Sequence, residues 1–183
     1  MKILQTRQSG LLFHPTCLPG RGDAIGTLGP EAYAFVDWLE KSGQKLWQIL
    51  PLNPTGFGDS PYASFSAFAG NPYLIDLERL VKEGDLTLSE YGAYNPPGHT
   101  AGRVDFGWLY QNKFPILQKA FERFVLKGKG RRKAAFEKFC EENKSWLDDY
   151  ALFMAIKAGR GGQSWGDWEK ELRAYGTSVN LSE

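Results

Sequence analysis

Apolar positions first fall into a helical period between Pro30 and Ser42, where Ala32, Phe35, Val36 and Leu39 recur at i, i+3, i+4 and i+7. Pro30 suits a first helical turn and Gly43 a helix stop, so this stretch predicts an amphipathic helix. A few residues on, Leu46, Trp47, Gln48, Ile49 and Leu50 form a near-continuous apolar run ended by Pro51. That pattern predicts a strand buried on both faces, and such a strand after a helix implies a parallel α/β sheet. Residues 51–72, PLNPTGFGDSPYASFSAFAGNP, have no period and are rich in glycine, small polar residues and aromatics. A loop is expected there. Tyr73–Ile75 follows, then a short helical pattern from Leu77 to Lys82 stopped by Gly84. Residues 92–103, with Pro96, Pro97 and several glycines, read as irregular chain.

The second half reads as helical. Phe114, Leu117, Phe121, Phe124 and Val125 share one face, with Pro115 placed near a helix start or a kink. The basic run Lys127, Lys129, Arg131, Arg132, Lys133 is broken by Gly128 and Gly130 and reads as a solvated interhelical turn. Ser145 with Asp148 has the spacing of a capping box, opening a face of Leu147, Ala151, Met154, Ala155 and Ala158 that ends at residues 159–162. A last short helix is expected from Trp165 to Arg173, and the tail AYGTSVNLSE carries no closing element.

This inventory holds one buried strand, whose backbone donors and acceptors need neighbours on both sides. The chain therefore reads as cut short, since a full (β/α)8 barrel takes about 250 residues and this chain has 183.

Composition narrows the function classes. Hydrophobic residues make up 42% and charged residues 23%, the balance of a soluble globular domain rather than a disordered chain. With 22 Lys plus Arg against 21 Asp plus Glu, no global field favours nucleic acid or an anionic membrane. The first fifteen residues break their apolar stretches with Gln, Thr, Arg and Ser, so no secretory core is present and a cytoplasmic chain is expected. Cys17 and Cys140 lie far apart beside only two histidines, which suggests neither a zinc site nor a disulfide framework, and no cofactor is expected. Aromatics reach 14%, and flat rings stack well on the C–H faces of sugars.

Five strings carry a resemblance: HPTCLPG at 14–20, GPEAYAFVDWLEKSGQKLWQILPL at 29–52, PTGFGDSPYASFSAFAGNPYLIDLERL at 54–80, GRVDFGWLY at 102–110 and WLDDYALFMAIKAG at 146–159. Together, from about Ser9 to Trp168, they resemble the amino-terminal part of the 4-α-glucanotransferases, the amylomaltases or disproportionating enzymes of the α-amylase superfamily. The pairing of GDSPY with SAFAGNP is the specific element. The resemblance implies an α/β fold, the amino-terminal part of a (β/α)8 barrel with its first strand and a mostly helical insertion. Residues 1–52 would start the barrel, and 53–183 would supply the active-site loop and the insertion. It also implies transfer of α-1,4-glucan segments, with maltooligosaccharides or starch-type glucan as partners and neither nucleic acid nor membrane. Retention in such chemistry needs two carboxyl groups about 5 to 5.5 Å apart. No counterpart of the family's arginine-x-aspartate-histidine nucleophile motif or acid/base segment occurs here, so no residue of this chain is expected to be catalytic.

The resemblance carries over residue by residue. Tyr62 matches the tyrosine that stacks on sugar at the cleavage point, against the alternative of a ring pinned in a rigid loop. In a barrel the loop after a strand's carboxyl end faces the active site, which agrees with the first reading. Ser60 and Asp59 flank Pro61 near the substrate, although Ser and Asp also build turns. His14 would approach the donor sugar or serve structure beside its proline. Phe57 and Tyr110 match a second glucan platform, Phe57 standing where tyrosine is commoner. Cys17 and Ala63 replace the usual serine and glutamine. Asp76 and Asp105 read as caps.

Two other classes stand beside this one. The aromatic content fits an autonomous, non-catalytic carbohydrate-binding module, against which the single strand argues. The basic run from Lys127 to Lys133 would fit nucleic acid, but Glu137, Glu141 and Glu142 balance it and no aromatic is interleaved.

Overall fold

The computed structural model describes residues 7–20, 22–94 and 103–173. They fall into two compact units, Met1–Gly130 and Arg131–Glu183.

In the first unit, strand β1 (Gly10–Leu12) precedes helix α1 (Pro30–Lys41), and strand β2 (Leu46–Gln48) follows it. The strands pair in parallel, Gly10 opposite Leu46 and Leu12 opposite Gln48. The pairing continues past both ends through Lys45 N–H to Ser9 O at 2.9 Å and Phe13 N–H to Gln48 O at 3.0 Å. Gly10 lies so close to the backbone of Leu46 that a side chain there would collide with it. The expectation of a lone strand is thus corrected: β1 supplies its neighbour. The expectation of burial on both faces is corrected too. Phe35 of α1 covers the sheet with its ring 5.1 Å from Phe13 and 5.0 Å from Trp47, while Leu12 remains 62% exposed and Leu46 and Ile49 are also exposed. A two-stranded sheet covered from one side leaves its other face open.

Helix α1 ends as predicted. Gly43 takes φ +72°, its N–H bonding Glu40 O while Gln44 N–H reaches Leu39 O, both at 2.9 Å. Helix α2 (Leu77–Lys82) begins at Asp76, whose side chain accepts the Arg79 N–H at 2.7 Å, and it stops before Gly84 at φ +82°. Helix α3 (Leu88–Ala93) was not expected. It takes two residues of the stretch read as irregular, of which residues 95–102 lie outside the described part.

Helix α4 runs from Phe106 to Lys127 behind an Asp105 cap, so Pro115 lies deep inside it rather than near its start. Its buried stripe is Leu109, Lys113, Ile116 and Ala120, whereas Phe114, Phe121 and Val125 of the expected face are exposed. The core of this unit is built around that stripe. Leu77, Leu86, Tyr94, Ile116 and Ala120 form one cluster, Ala24, Ile25, Tyr73 and Leu109 another, and Trp108 packs against both.

In the second unit, helix α5 (Arg131–Glu142) and helix α6 (Lys144–Gly159) meet at Asn143. The first helical turn of α5 thus takes up Arg131–Lys133, which corrects the reading of the whole basic run as a turn. Ser145 lies within α6, whose cap position is Asn143, so no capping box forms with Asp148. The expected last helix is split into a 3-10 turn at Trp165–Asp167 and helix α7 (Lys170–Arg173). Trp168 is buried between them, its ring 5.3 Å from Phe153 and its indole N–H donating to Gln163 O at 3.3 Å. The tail from residue 174 lies outside the described residues.

Candidate substrate-binding loop

The loop after β2 is tied at its neck. Asn71 N–H donates to Leu52 O at 2.8 Å, and the Asn53 amide donates to Ala69 O at 3.2 Å, so residues 53–70 leave and re-enter the fold at one place. Side-chain hydroxyls shape the interior. Ser66 Oγ accepts the N–H groups of Phe68 and Ala69 at 3.1 and 3.0 Å, and Ser64 Oγ both accepts from Ser66 N–H and donates to Ser66 O. At the tip Gly58 and Asp59 both take positive φ, +66° and +55°. Gly56 passes close against the backbone of Ala63, where a side chain would not fit.

This backbone turns rings outward. Phe57 is 94% exposed, Tyr62 73% and Phe68 71%, while Tyr110 on α4 is 61% exposed. Ser60 Oγ accepts the Tyr62 N–H at 3.3 Å, so Ser60 shapes the turn that presents Tyr62. Asp59 and Tyr110 are brought together at the buried Tyr73. Burial first, and then the Asp59 carboxylate and Tyr110, together push that phenol up to about 12. Tyr110 also packs edge-on to Phe114 at 5.7 Å, and Phe114 to Tyr73 at 5.5 Å.

His14 is engaged at both ring nitrogens. Nδ1 lies 2.7 Å from the Thr16 hydroxyl and accepts the Thr16 N–H, and Nε2 faces Pro51 O at 3.4 Å. With Nδ1 accepting, Nε2 carries the proton and donates to Pro51. His14 thereby links the segment after β1 to the start of the loop.

Phe68, Tyr73 and Lys113 belong to this neighbourhood, and the sequence reading did not single them out as site residues. Lys113 had a signal: a lysine between Leu109 and Ile116 interrupts an otherwise apolar stripe. For Phe68 no spacing distinguished it from the other aromatics of the loop. Among the described residues no group of histidine, cysteine and acidic side chains is placed to hold a metal ion.

Comparison with known proteins assigns the fold. The sequence profile of the 4-alpha-glucanotransferase family matches residues 13–181. The 4-alpha-glucanotransferase of Thermus thermophilus is 50% identical over 167 residues, 91% of this chain and 32% of that protein. That of Synechocystis sp. is 45% identical over 93% of this chain and 33% of its own length. An amylomaltase from Streptococcus agalactiae, solved in complex with acarbose, superposes with a TM-score of 0.83 at 44% identity, covering 91% of this chain and 32% of that one. The chain thus spans about a third of the length of the relatives it matches. Its two parallel strands and mostly helical remainder are part of an incomplete (β/α)8 barrel. On the profile match and these identities, the chain belongs to the 4-alpha-glucanotransferase family.

Proposed function

We propose that this chain forms a glucan-holding part of a 4-α-glucanotransferase that moves α-1,4-glucan segments between maltooligosaccharides with retention. In that arrangement residues 1–52 start the catalytic barrel, and 53–183 supply the loop and the helical insertion, a division by role rather than by compactness. The observation that carries the reading is the loop itself, a tied neck presenting Phe57 and Tyr62 to solvent directly after a parallel strand. Rings held out by a fixed backbone offer sugar faces a stacking surface at little ordering cost.

Tyr62, with Ser60, Asp59 and His14, is assigned to the substrate, and Phe57 with Tyr110 to a second glucan platform. The acarbose complex of the similar amylomaltase supports an oligosaccharide as the ligand. The chain binds and does not cleave. The carboxyls with perturbed protonation, Asp23, Glu90 and Glu169, are each placed beside a cation of the fold, respectively Lys113, Arg123 and Arg160. A cytoplasmic setting fits the two free cysteines, and among the described residues no helix is long and apolar enough to cross a membrane. Calorimetric titration with maltoheptaose tests the reading: binding is expected, with Tyr62→Ala weakening it by about 1 kcal/mol. Glucose release from maltotriose by this chain would contradict the non-catalytic assignment.

A further inference from the structure

A buried ammonium joins the exit of the loop to the helix that carries Tyr110. Lys113 is fully buried, its Nζ donating to the Tyr73 carbonyl at 2.9 Å and lying 3.8 Å from Asp23 Oδ2. That carboxylate oxygen also accepts the Leu77 N–H at 3.1 Å, and Asp23 Oδ1 has no hydrogen-bond partner among the described residues. From Tyr73 the connection continues to the loop neck, through Tyr73 N–H to Asn71 Oδ1 at 2.9 Å and Asn71 N–H to Leu52 O at 2.8 Å. Lys113 sits one helical turn after Tyr110.

An apolar residue at 113 would continue the stripe of Leu109, Ile116 and Ala120 without taking an ion pair out of water, an exchange that returns little net stability. The protonation shifts point the same way. Burial pushes Asp23 up to about 6, against the pull of Lys113 and the Leu77 N–H, with Asp76 and Glu78 adding to the rise. Burial pulls Lys113 down to about 8, against Asp23 and Asp76. The phenols of Tyr91 and Tyr94 face Asp23 as well, raised by burial first and by its charge second. A raised carboxyl withdraws stability as pH rises through its folded value, and a lowered ammonium withdraws it as pH falls through its own. Between about 6 and 8, where both groups are charged, the fold is therefore penalised on both counts. What the lysine supplies that an apolar side chain cannot is a donor fixed on the Tyr73 carbonyl.

We propose that Lys113, held by Asp23, is a positioning residue for glucan binding: its bond to Tyr73 fixes the neck of loop 53–70 against the turn of α4 that presents Tyr110, so that both meet one glucan chain in register. The assignment rests on the glucan-binding reading above. The double variant Asp23→Asn with Lys113→Met removes both charges and the donor to Tyr73, while the asparagine oxygen can still accept the Leu77 N–H. Maltoheptaose titrations of the 183-residue chain are run below the lower value, between the two and above the upper, beside Tyr110→Ala and thermal melts. The double variant is expected to melt no lower than wild type at neutral pH, yet to bind about tenfold more weakly. Wild-type affinity is expected to peak between the two values, and that of the double variant to lose this dependence. If wild type does not bind, or Tyr110→Ala binds as wild type does, the glucan surface itself is wrong and the proposal falls with it. If Tyr110→Ala weakens binding but the double variant keeps wild-type affinity and pH profile, only the role of Lys113 falls. Should the double variant fail to fold, a wild-type affinity flat across both values overturns the proposal.

Discussion

Arg123 on α4 grips both carboxylate oxygens of Glu90 on α3, Nη1 to Oε2 and Nη2 to Oε1, each at 2.8 Å. Oε2 also accepts the backbone N–H and the hydroxyl of Thr87 at 2.8 and 2.9 Å, which completes the capping box of α3. One carboxylate therefore caps its own helix and clamps it to the longest helix of the fold. Arg123 first, and then Thr87, hold Glu90 down at about 2 against an ordinary 4.5. A depressed carboxyl contributes stability that is present above its unfolded value and lost as pH falls through the folded one. Glu90→Gln should thus melt below wild type at neutral pH, with the gap closing between about 4.5 and 2. A gap that stays constant across that window in pH-dependent melts would show that the ion pair is not its source.

The contrast between α1 and α3 explains what the chain let one read in advance. Helix α1 declares itself by about two turns of apolar period from Ala32 to Leu39 and a glycine stop, and α2 by Asp76 and Gly84. Helix α3 has six residues, too few for an apolar period. Its local signal is the Thr87-x-x-Glu90 spacing of a capping box, which the reading missed, while the clamp from Arg123, thirty-three positions away, lies outside any local pattern. Strand β1 is missed for a similar reason, since Gly10–Leu12 is too short for an alternation and exists through pairing with β2. On α4 the large exposed rings at Phe114 and Phe121 outweighed the true stripe, whose members include a lysine and an alanine. The loop was legible as a loop from its composition. Its tied neck was not, because Asn53 and Asn71 look like ordinary turn residues until their partners are placed.

Gly29 marks a close approach that no larger residue can share. It is buried beside Asp76, whose carboxylate accepts the Arg79 N–H at 2.7 Å with one oxygen and the Thr27 hydroxyl at 2.9 Å with the other. A Cβ at residue 29 would run into that carboxylate and displace it from both partners. Gly29→Ala is expected to destabilise the chain by about 1 to 3 kcal/mol in urea unfolding. A neutral substitution would mean that Asp76 can move without loss, and the cap of α2 would then contribute little.

At the tip of the loop, conformation and binding can be separated. A Cβ on Gly58 would meet nothing within 4 Å, so Gly58→Ala tests only the positive φ and should cost about 1 to 2 kcal/mol. Asp59→Asn keeps a side chain that tolerates φ +55° and removes the carboxylate. Titration with maltoheptaose is expected to show Asp59→Asn binding about 1 kcal/mol more weakly through the lost charged acceptor. Unchanged affinity would reduce Asp59 to a turn residue and leave Phe57 and Tyr62 as the surface.

Phe35 and Val36 occupy adjacent positions of the predicted apolar face of α1, yet the structure gives them different work. The Phe35 ring packs within 5.1 Å of Phe13, 5.0 Å of Trp47 and 5.8 Å of Trp38, and the Trp47 indole N–H donates to Phe13 O at 2.6 Å. Val36 is half exposed. Phe35 is the contact that lays α1 on the two strands, and through the strands it holds the point from which the loop departs. Phe35→Ala is expected to cost about 2 to 4 kcal/mol and to reduce the near-ultraviolet circular dichroism of Trp47, whereas Val36→Ala should stay within about 0.5 kcal/mol. Equal losses at the two positions would place the strand-facing side of α1 elsewhere, and the start of the loop would lose its support in this helix.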